Sequence, residues 1–131
     1  MLKQDDTNRL FVYGTLKSGF NRSILEEYSF IGNAKVNGTL YDLGSFPVID
    51  LDTGDTVYGE LYEINGYEDL FMIDVIEGFY GEGSLDNFYD RKVVKVFLDN
   101  LETMAYIYFM PIENIVKYGG KKIKSGIWEK K

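Results

Sequence analysis

The clearest hydrophobic signal in the chain is Leu10-Phe11-Val12-Tyr13, which stops at Gly14 and passes into Thr15-Leu16-Lys17. Consecutive apolar and aromatic residues halted by a glycine read as a buried strand running into a turn. Such a turn directs successive backbone N–H groups outward, and Gly14 places no Cβ in the way of a ligand. It favours an anion or a developing oxyanion. Residues 34–43, 56–64, 91–98 and 103–110 are rich in Val, Ile, Tyr and Phe and read as further strands. Asp52-Thr53-Gly54-Asp55 reads as a turn between two of them, and Pro47 and Pro111 as residues at strand ends.

Helical patterning is confined to two places. Asn21 to Tyr28 fits a short helix with Asn21 as its N-cap. A fuller helix begins after Asn65, whose cap is paired with Glu68 in a capping-box pattern. Leu70, Ile73 and either Val75 or Ile76 form its buried face, and Gly78 suits the left-handed residue that ends it. Many strands and little helix in a short chain predict an α+β domain with a closed or nearly closed sheet, which also removes exposed strand edges.

Composition narrows the chemistry. The 131 residues fit one domain, and 45% hydrophobic with 16% aromatic content supports an unassisted core. There is no histidine and no cysteine. Imidazole bases, thiolate nucleophiles, disulfides and nitrogen or sulfur metal ligands are therefore excluded, and carboxylates and backbone amides carry any catalysis. No apolar run approaches the roughly 18 residues of a membrane span. Residues 1–8 form a polar N-terminal segment with no apolar signal-peptide core, and the expectation is a cytoplasmic protein. The net charge of −7 is uneven, +5 over residues 117–131 and −12 over the remainder. An acidic body disfavours nucleic acid, and the lysine-rich end reads as a solvated terminus.

Two familiar motifs fail on inspection. Gly14-x-x-x-x-Gly19 has P-loop spacing, but Phe20 and Asn21 stand where Lys and Ser/Thr are required. Asp50, Asp52 and Asp55 resemble the start of a calcium loop, but Asp55 replaces its glycine and Leu61 its bidentate glutamate. Neither a metal nor another cofactor is expected.

Glu77 is the acid of interest. It falls at the C-terminal end of the helix, where the macrodipole disfavours a negative charge, and Ile76 and Phe79 flank it. Both effects raise its pKa towards the range useful for proton transfer at neutral pH. Asp74 lies one helical turn earlier, either as a neighbour on the same face or simply exposed.

Val12-Tyr13-Gly14-Thr15-Leu16-Lys17, Gly59-Glu60-Leu61-Tyr62, Ile76-Glu77-Gly78 and Tyr89-Asp90-Arg91 occur in an order that resembles the gamma-glutamylcyclotransferase-like superfamily. The similarity is greatest to its gamma-glutamylaminecyclotransferase-type branch. Leu40-Tyr41-Asp42-Leu43-Gly44-Ser45-Phe46-Pro47 and Ser125-Gly126-Ile127-Trp128 are similar to segments of short bacterial members, although Ile127 stands where many carry an acid. The resemblance covers residues 9–128 as one domain. It implies a small mixed β-barrel with flanking helices, a substrate loop of Tyr13, Gly14, Thr15 and Leu16, and Glu77 as the single catalytic acid/base. Tyr89 and Arg91 are additional ligand-facing candidates.

The implied reaction is cyclisation of a gamma-glutamyl amide, in which the substrate's own α-amine attacks the γ-carbonyl and releases 5-oxoproline and an amine. This needs no cofactor and no protein nucleophile. The loop amides hold either the substrate carboxylate or the oxyanion, with Lys17, Arg22 or Arg91 as aids. Two alternatives stand beside it: removal of a gamma-glutamyl group from a biosynthetic intermediate, and a module that binds a small metabolite or protein without turnover.

Overall fold

Strands account for most of the regular structure in the computed structural model, which describes residues 8–14 and 28–129. The elements are β1 (Arg9–Val12), β2 (Ser29–Asp42), β3 (Pro47–Glu63), α1 (Tyr67–Glu77), β4 (Asp90–Phe97), β5 (Glu102–Phe109), α2 (Ile112–Lys117) and β6 (Lys121–Ile123). The expected helix over 21–28 lies, apart from Tyr28, outside the described residues.

Five strands close on themselves. β1 pairs antiparallel with β3 and parallel with β5, at Leu10↔Tyr106. β5 pairs antiparallel with β4, β4 meets β2 at Lys35↔Phe97, and β2 pairs with β3 along most of its length. β6 extends the sheet beside Leu40–Asp42 of β2. The closed mixed barrel agrees with the α+β expectation, with β1 and β5 its one parallel pair among the described residues.

Alternation along the central strands divides the core in two. Phe11 of β1 and Tyr13 just beyond it face the same way as Val36, Ile49, Val57, Leu61, Val96 and Ile107, and Trp128 joins this barrel interior. Leu10 and Val12 face outward, with Tyr106 and Tyr108, towards Leu70 and Ile73 of α1, Phe79, Met110 and Ile115. β1 and β5 are therefore covered on both sides, which is why their sequences are almost continuously apolar. Leu70 and Ile73 are buried, and each contributes roughly 1.5–3 kcal/mol to holding α1 on the barrel.

Four local expectations change. Val75 and Ile76 do not complete the buried face of α1: both are exposed, as are Tyr67, Phe71 and Met72. The N-terminus of α1 is formed by Gly66, at φ 110°, and not by Asn65 with Glu68. No side chain caps the helix; Asp69 of its first turn instead ties down the residue before the cap, its carboxylate accepting the Asn65 backbone N–H at 2.8 Å. The 52–55 turn lies within β3 and does not separate two strands. The register steps from Gly38↔Leu51 to Asn37↔Thr56, so these residues form an excursion while both halves of β3 pair with β2. Buried Thr39 anchors that excursion through Thr53 (2.6 Å) and Asp55 (2.7 Å). Finally, part of the lysine-rich end is structured: Lys117 closes α2, Lys121 and Lys122 lie in β6, and Lys122 reaches Asp55 at 3.4 Å.

Candidate active site

Five segments of the chain meet at one end of the barrel. Tyr13 and Gly14 follow directly on the end of β1. The β2–β3 hairpin supplies Pro47, α1 supplies its last residue Glu77, and the approach to β4 and the end of β5 supply Tyr89 and Tyr108. With Phe11 and Val12 they line a cavity of about 30 Å³. That is room for one small polar group, with the rest of any ligand lying outside it.

Local chemistry fixes each piece. Asp42 Oδ1 accepts the Gly44 N–H at 2.6 Å, and the Leu43 N–H donates to the Phe46 carbonyl at 3.0 Å. This Asx-turn reverses the chain and presents Pro47 to Gly14. At the end of α1, Gly78 takes the left-handed conformation (φ 69°) and releases the chain immediately after Glu77. The chain then returns: the Phe88 N–H donates to the Gly78 carbonyl at 2.9 Å and the Tyr89 N–H to the Glu77 carbonyl at 3.4 Å. Tyr89 is thereby placed beside Glu77.

The tyrosine hydroxyls are committed donors. Tyr13 donates to the Tyr108 carbonyl (2.5 Å), Tyr89 to the Pro47 carbonyl (2.6 Å), and Tyr108 to Asp74 Oδ1 (2.6 Å). Burial, reinforced by the Glu77 charge, raises the pKa of Tyr13 and of Tyr89. Burial followed by the Asp74 hydrogen bond does the same for Tyr108. All three stay protonated in the neutral range.

Glu77 is partly buried, and burial pushes its carboxyl up to about 7. No ion pair or hydrogen bond from the described residues offsets that. Desolvation of a carboxylate by aromatic walls is sufficient cause. Those walls are the tyrosines; of the flanking residues, Phe79 is buried but Ile76 is exposed.

Arg91 is engaged behind the cavity. Its guanidinium meets Asp74 Oδ2 at 2.5 Å and lies over the rings of Phe79 (4.8 Å) and Tyr106 (5.1 Å). Burial opposes its charge, but the hydrogen bond and charge of Asp74 outweigh that and raise its pKa. Asp74 thus joins α1, β4 and β5. Asp74→Ala leaves a largely buried guanidinium unpaired and a buried phenol without its acceptor. The expected loss is about 3 kcal/mol of unfolding free energy, read by urea denaturation; a loss under about 1 kcal/mol means the network does not hold the helix.

Of the residues singled out from sequence, the structure brings together Tyr13, Gly14, Glu77 and Tyr89. Arg91 is not part of the cavity lining. Thr15, Leu16, Lys17 and Arg22 lie outside the described residues. Gly14 does not have a positive φ. Its constraint is steric, since an added Cβ would overlap the ring of Pro47. Sequence reasoning missed Tyr108, Pro47 and the role of Asp74. Tyr108 is two residues from Tyr106 on a strand too uniformly aromatic to mark either one.

The model of the family "Gamma-glutamyl cyclotransferase, AIG2-like" matches residues 10–130. The chain belongs to this family. Over 85 residues it is 38% identical to the gamma-L-glutamyl-butirosin B gamma-glutamyl cyclotransferase of Niallia circulans, a match covering 63% of this chain and 53% of the relative. The chain thus spans about half the length of that curated relative. Among solved structures, YkqA from Bacillus subtilis superimposes with a TM-score of 0.69 at 30% identity, over 92% of this chain and 39% of that one. An AIG2-like protein from Mus musculus does so with a TM-score of 0.62 at 23% identity, over 79% of this chain and 76% of that one, a likeness of fold. Among the described residues no helix is long and apolar enough to cross a membrane.

Proposed function

We propose that this chain is a gamma-glutamyl cyclotransferase in which Glu77 is the single acid/base and the substrate supplies its own nucleophile. One observation carries the reading: a carboxyl pushed by burial up to about 7 in the lining of a small cavity that Gly14 also lines. Family membership and the activity for which the Niallia circulans relative is named support it.

The chemistry follows from proton balance. Glu77 as carboxylate takes a proton from the substrate's α-ammonium, and the freed amine attacks the γ-carbonyl carbon. A ring N–C bond forms, and the bond to the leaving nitrogen breaks as Glu77 returns a proton to it. In all, the α-nitrogen gives up two protons and the leaving nitrogen gains two. One carboxyl that loads and unloads near neutrality can carry both in turn. Holding the amine against its own carbonyl supplies much of the acceleration, since well-oriented intramolecular attack is worth up to roughly 7–11 kcal/mol. Tyr13, Gly14, Thr15 and Leu16 form the substrate loop in this reading, with Tyr89 beside them. Arg91 acts through Asp74 and does not touch the ligand. The long-range field of an acidic chain repels anions, so recognition of a gamma-glutamyl carboxylate is local.

The test is 5-oxoproline release from a panel of gamma-glutamyl amines, gamma-glutamyl amino acids, glutathione and a gamma-glutamyl aminoglycoside. At least one is expected to turn over, with kcat/KM rising as Glu77 loses its proton near pH 7. The Nα-acetyl derivative of that substrate is expected to give neither 5-oxoproline nor free amine. Amine release from the acetylated compound means that water attacks and the protein is an amidase. Binding without turnover of any member means a non-catalytic module.

A further inference from the structure

Four aromatic rings lead from the cavity to the protein surface. Tyr89 lines the cavity, and the Phe88 ring stands 5.2 Å from its ring, nearly perpendicular at 79°. Phe88 in turn meets Phe46 of the β2–β3 hairpin at 5.4 Å and Tyr118, just past α2, at 6.1 Å. These are the spacings of packed aromatic pairs, yet Phe88 is 38% exposed and Tyr118 52% exposed. Their setting is fixed by hydrogen bonds. The Phe88 N–H donates to the Gly78 carbonyl at 2.9 Å, and the Tyr80 N–H to Asn87 Oδ1 at 2.6 Å. Asn87 Nδ2 donates to the Gly81 carbonyl at 2.8 Å and to Asp90 Oδ1 at 3.1 Å, which ties both ends of the turn that leads into Phe88. Phe46 precedes Pro47 and Phe88 precedes Tyr89, and those two cavity residues are joined through the Tyr89 hydroxyl and the Pro47 carbonyl at 2.6 Å. The aromatic shelf is built onto the cavity wall.

We propose that Phe88, Phe46 and Tyr118 form the leaving-group subsite, so that the preferred substrates are gamma-glutamyl amides of amines that carry an apolar ring. The proposal rests on the gamma-glutamyl reading of the site and names the part of the substrate which that reading leaves open. A cavity of about 30 Å³ takes one small polar group, so the substituent on the leaving nitrogen lies outside it. That nitrogen stays within reach of Glu77, and the chain leaves Glu77 through Gly78. A Cβ at Gly78 would stand 3.1 Å from Phe88 Cβ, so Phe88 lies directly against the end of α1 that carries the carboxyl. A short alkyl linker carries a ring from the leaving nitrogen onto the shelf. Open aromatic faces gain by covering apolar area and by offset or edge-on contact with another ring. A small aliphatic amine leaves them in water. The contact touches no reacting atom and is the same before and during the reaction, so it acts on KM and not on kcat. Phe46, Phe88 and Tyr118 are therefore specificity-determining residues.

Gamma-glutamyl phenethylamide and gamma-glutamyl ethylamide share the nitrogen and the linker and differ by one phenyl ring. In 5-oxoproline release by the full chain at neutral pH, kcat/KM is expected to be about tenfold higher for the phenethylamide, through a lower KM. Equal values, or a preference for the ethylamide, overturn the proposal. Phe88→Ala should cut the ratio of the two by about threefold or more, by raising KM for the phenethylamide alone. Tyr118→Ala, one ring farther from the cavity, carries the same test should Phe88→Ala not fold. An unchanged ratio, with both amides slowed alike, marks a merely structural role for the rings and overturns the proposal. Binding separates this outcome from failure of the enzymatic reading. Where the full chain releases 5-oxoproline from neither amide, both are titrated into it by NMR. Tighter binding of the phenethylamide without turnover sinks the enzymatic reading and leaves the shelf standing, whereas equal binding or none sinks the shelf as well. Turnover with a flat ratio sinks the shelf alone.

Discussion

Glu77→Gln is expected to lower 5-oxoproline release by about 10²-fold or more while the barrel stays folded. The amide keeps the shape and an acceptor oxygen but cannot exchange a proton with the amine. No ion pair or hydrogen bond of Glu77 supports the helix end among the described residues, so the substitution removes chemistry and little structure. Stability gives a second readout with a definite sign. The Glu77 pKa is raised from 4.5 in the unfolded reference to about 7 in the fold. Between those values the folded chain keeps a proton that the unfolded chain releases, so wild-type stability falls as pH rises through that window. With allowance for partial exposure, the fall is on the order of 2 kcal/mol. The glutamine variant lacks this component and should gain on the wild type between about pH 5 and pH 8 in urea titrations. Activity above one third of wild type removes Glu77 from the role of base. Parallel stability profiles for the two proteins remove the desolvated carboxyl from the account.

The barrel was legible because its evidence is local. Leu10–Tyr13 is apolar at every position since β1 is covered on both faces, and β5 carries the same signature at Ala105–Tyr108. α1 was legible at its end, where Gly78 provides the left-handed stop, and less so at its start. The cap position is Gly66, with no side-chain cap, and it is Asp69, an acid not distinguishable in sequence from Glu68 beside it, whose carboxylate reaches back to Asn65. Its outer face misled periodicity: α1 is apolar nearly all round, so pattern alone could not separate buried Leu70 and Ile73 from exposed Val75 and Ile76. The 52–55 excursion has the composition of a turn and no partner in β2, yet β3 pairs with β2 on both sides of it. Only that register separates it from a turn between two strands.

The site divides along the same line. Glu77 and Gly14 stand at element ends, where helix termini and strand breaks leave marks in sequence, and both are in the cavity. Tyr108 and Pro47 arrive there through tertiary pairing. Asp74 shows the limit most clearly: one position in α1, it could be read as a surface acid until the fold brought Arg91 from β4 and Tyr108 from β5 to its two oxygens. The separation of roles is physical as well. Asp74, with a cation and a phenol, stabilises the frame, while Glu77, three residues on and without such a partner among the described residues, has its carboxyl pushed by burial up to about 7.

Gly14→Ala is the second substitution with a large expected effect, and the reason is Pro47. A Cβ on Gly14 would overlap Pro47 Cγ and approach Cδ to 2.9 Å, while Pro47 Cβ stays at an ordinary 3.6 Å. The backbone at Gly14 is not in the left-handed region, so alanine brings no strain of its own. The ring must therefore move, and with it the Pro47 carbonyl that accepts the Tyr89 hydroxyl at 2.6 Å. Tyr89 stands against Glu77, and catalytic geometry tolerates little displacement; about 1 Å can cost 10²-fold. Gly14→Ala should accordingly lower kcat/KM by about that factor. Pro47→Ala removes the two ring carbons that clash and retains the one that does not. In the Gly14→Ala/Pro47→Ala double variant, most of the loss caused by alanine at 14 should disappear relative to Pro47→Ala alone, a coupling typical of residues in direct contact. Additive losses in that cycle would show that alanine at 14 acts on the ligand or on the loop beyond it, and not through the proline.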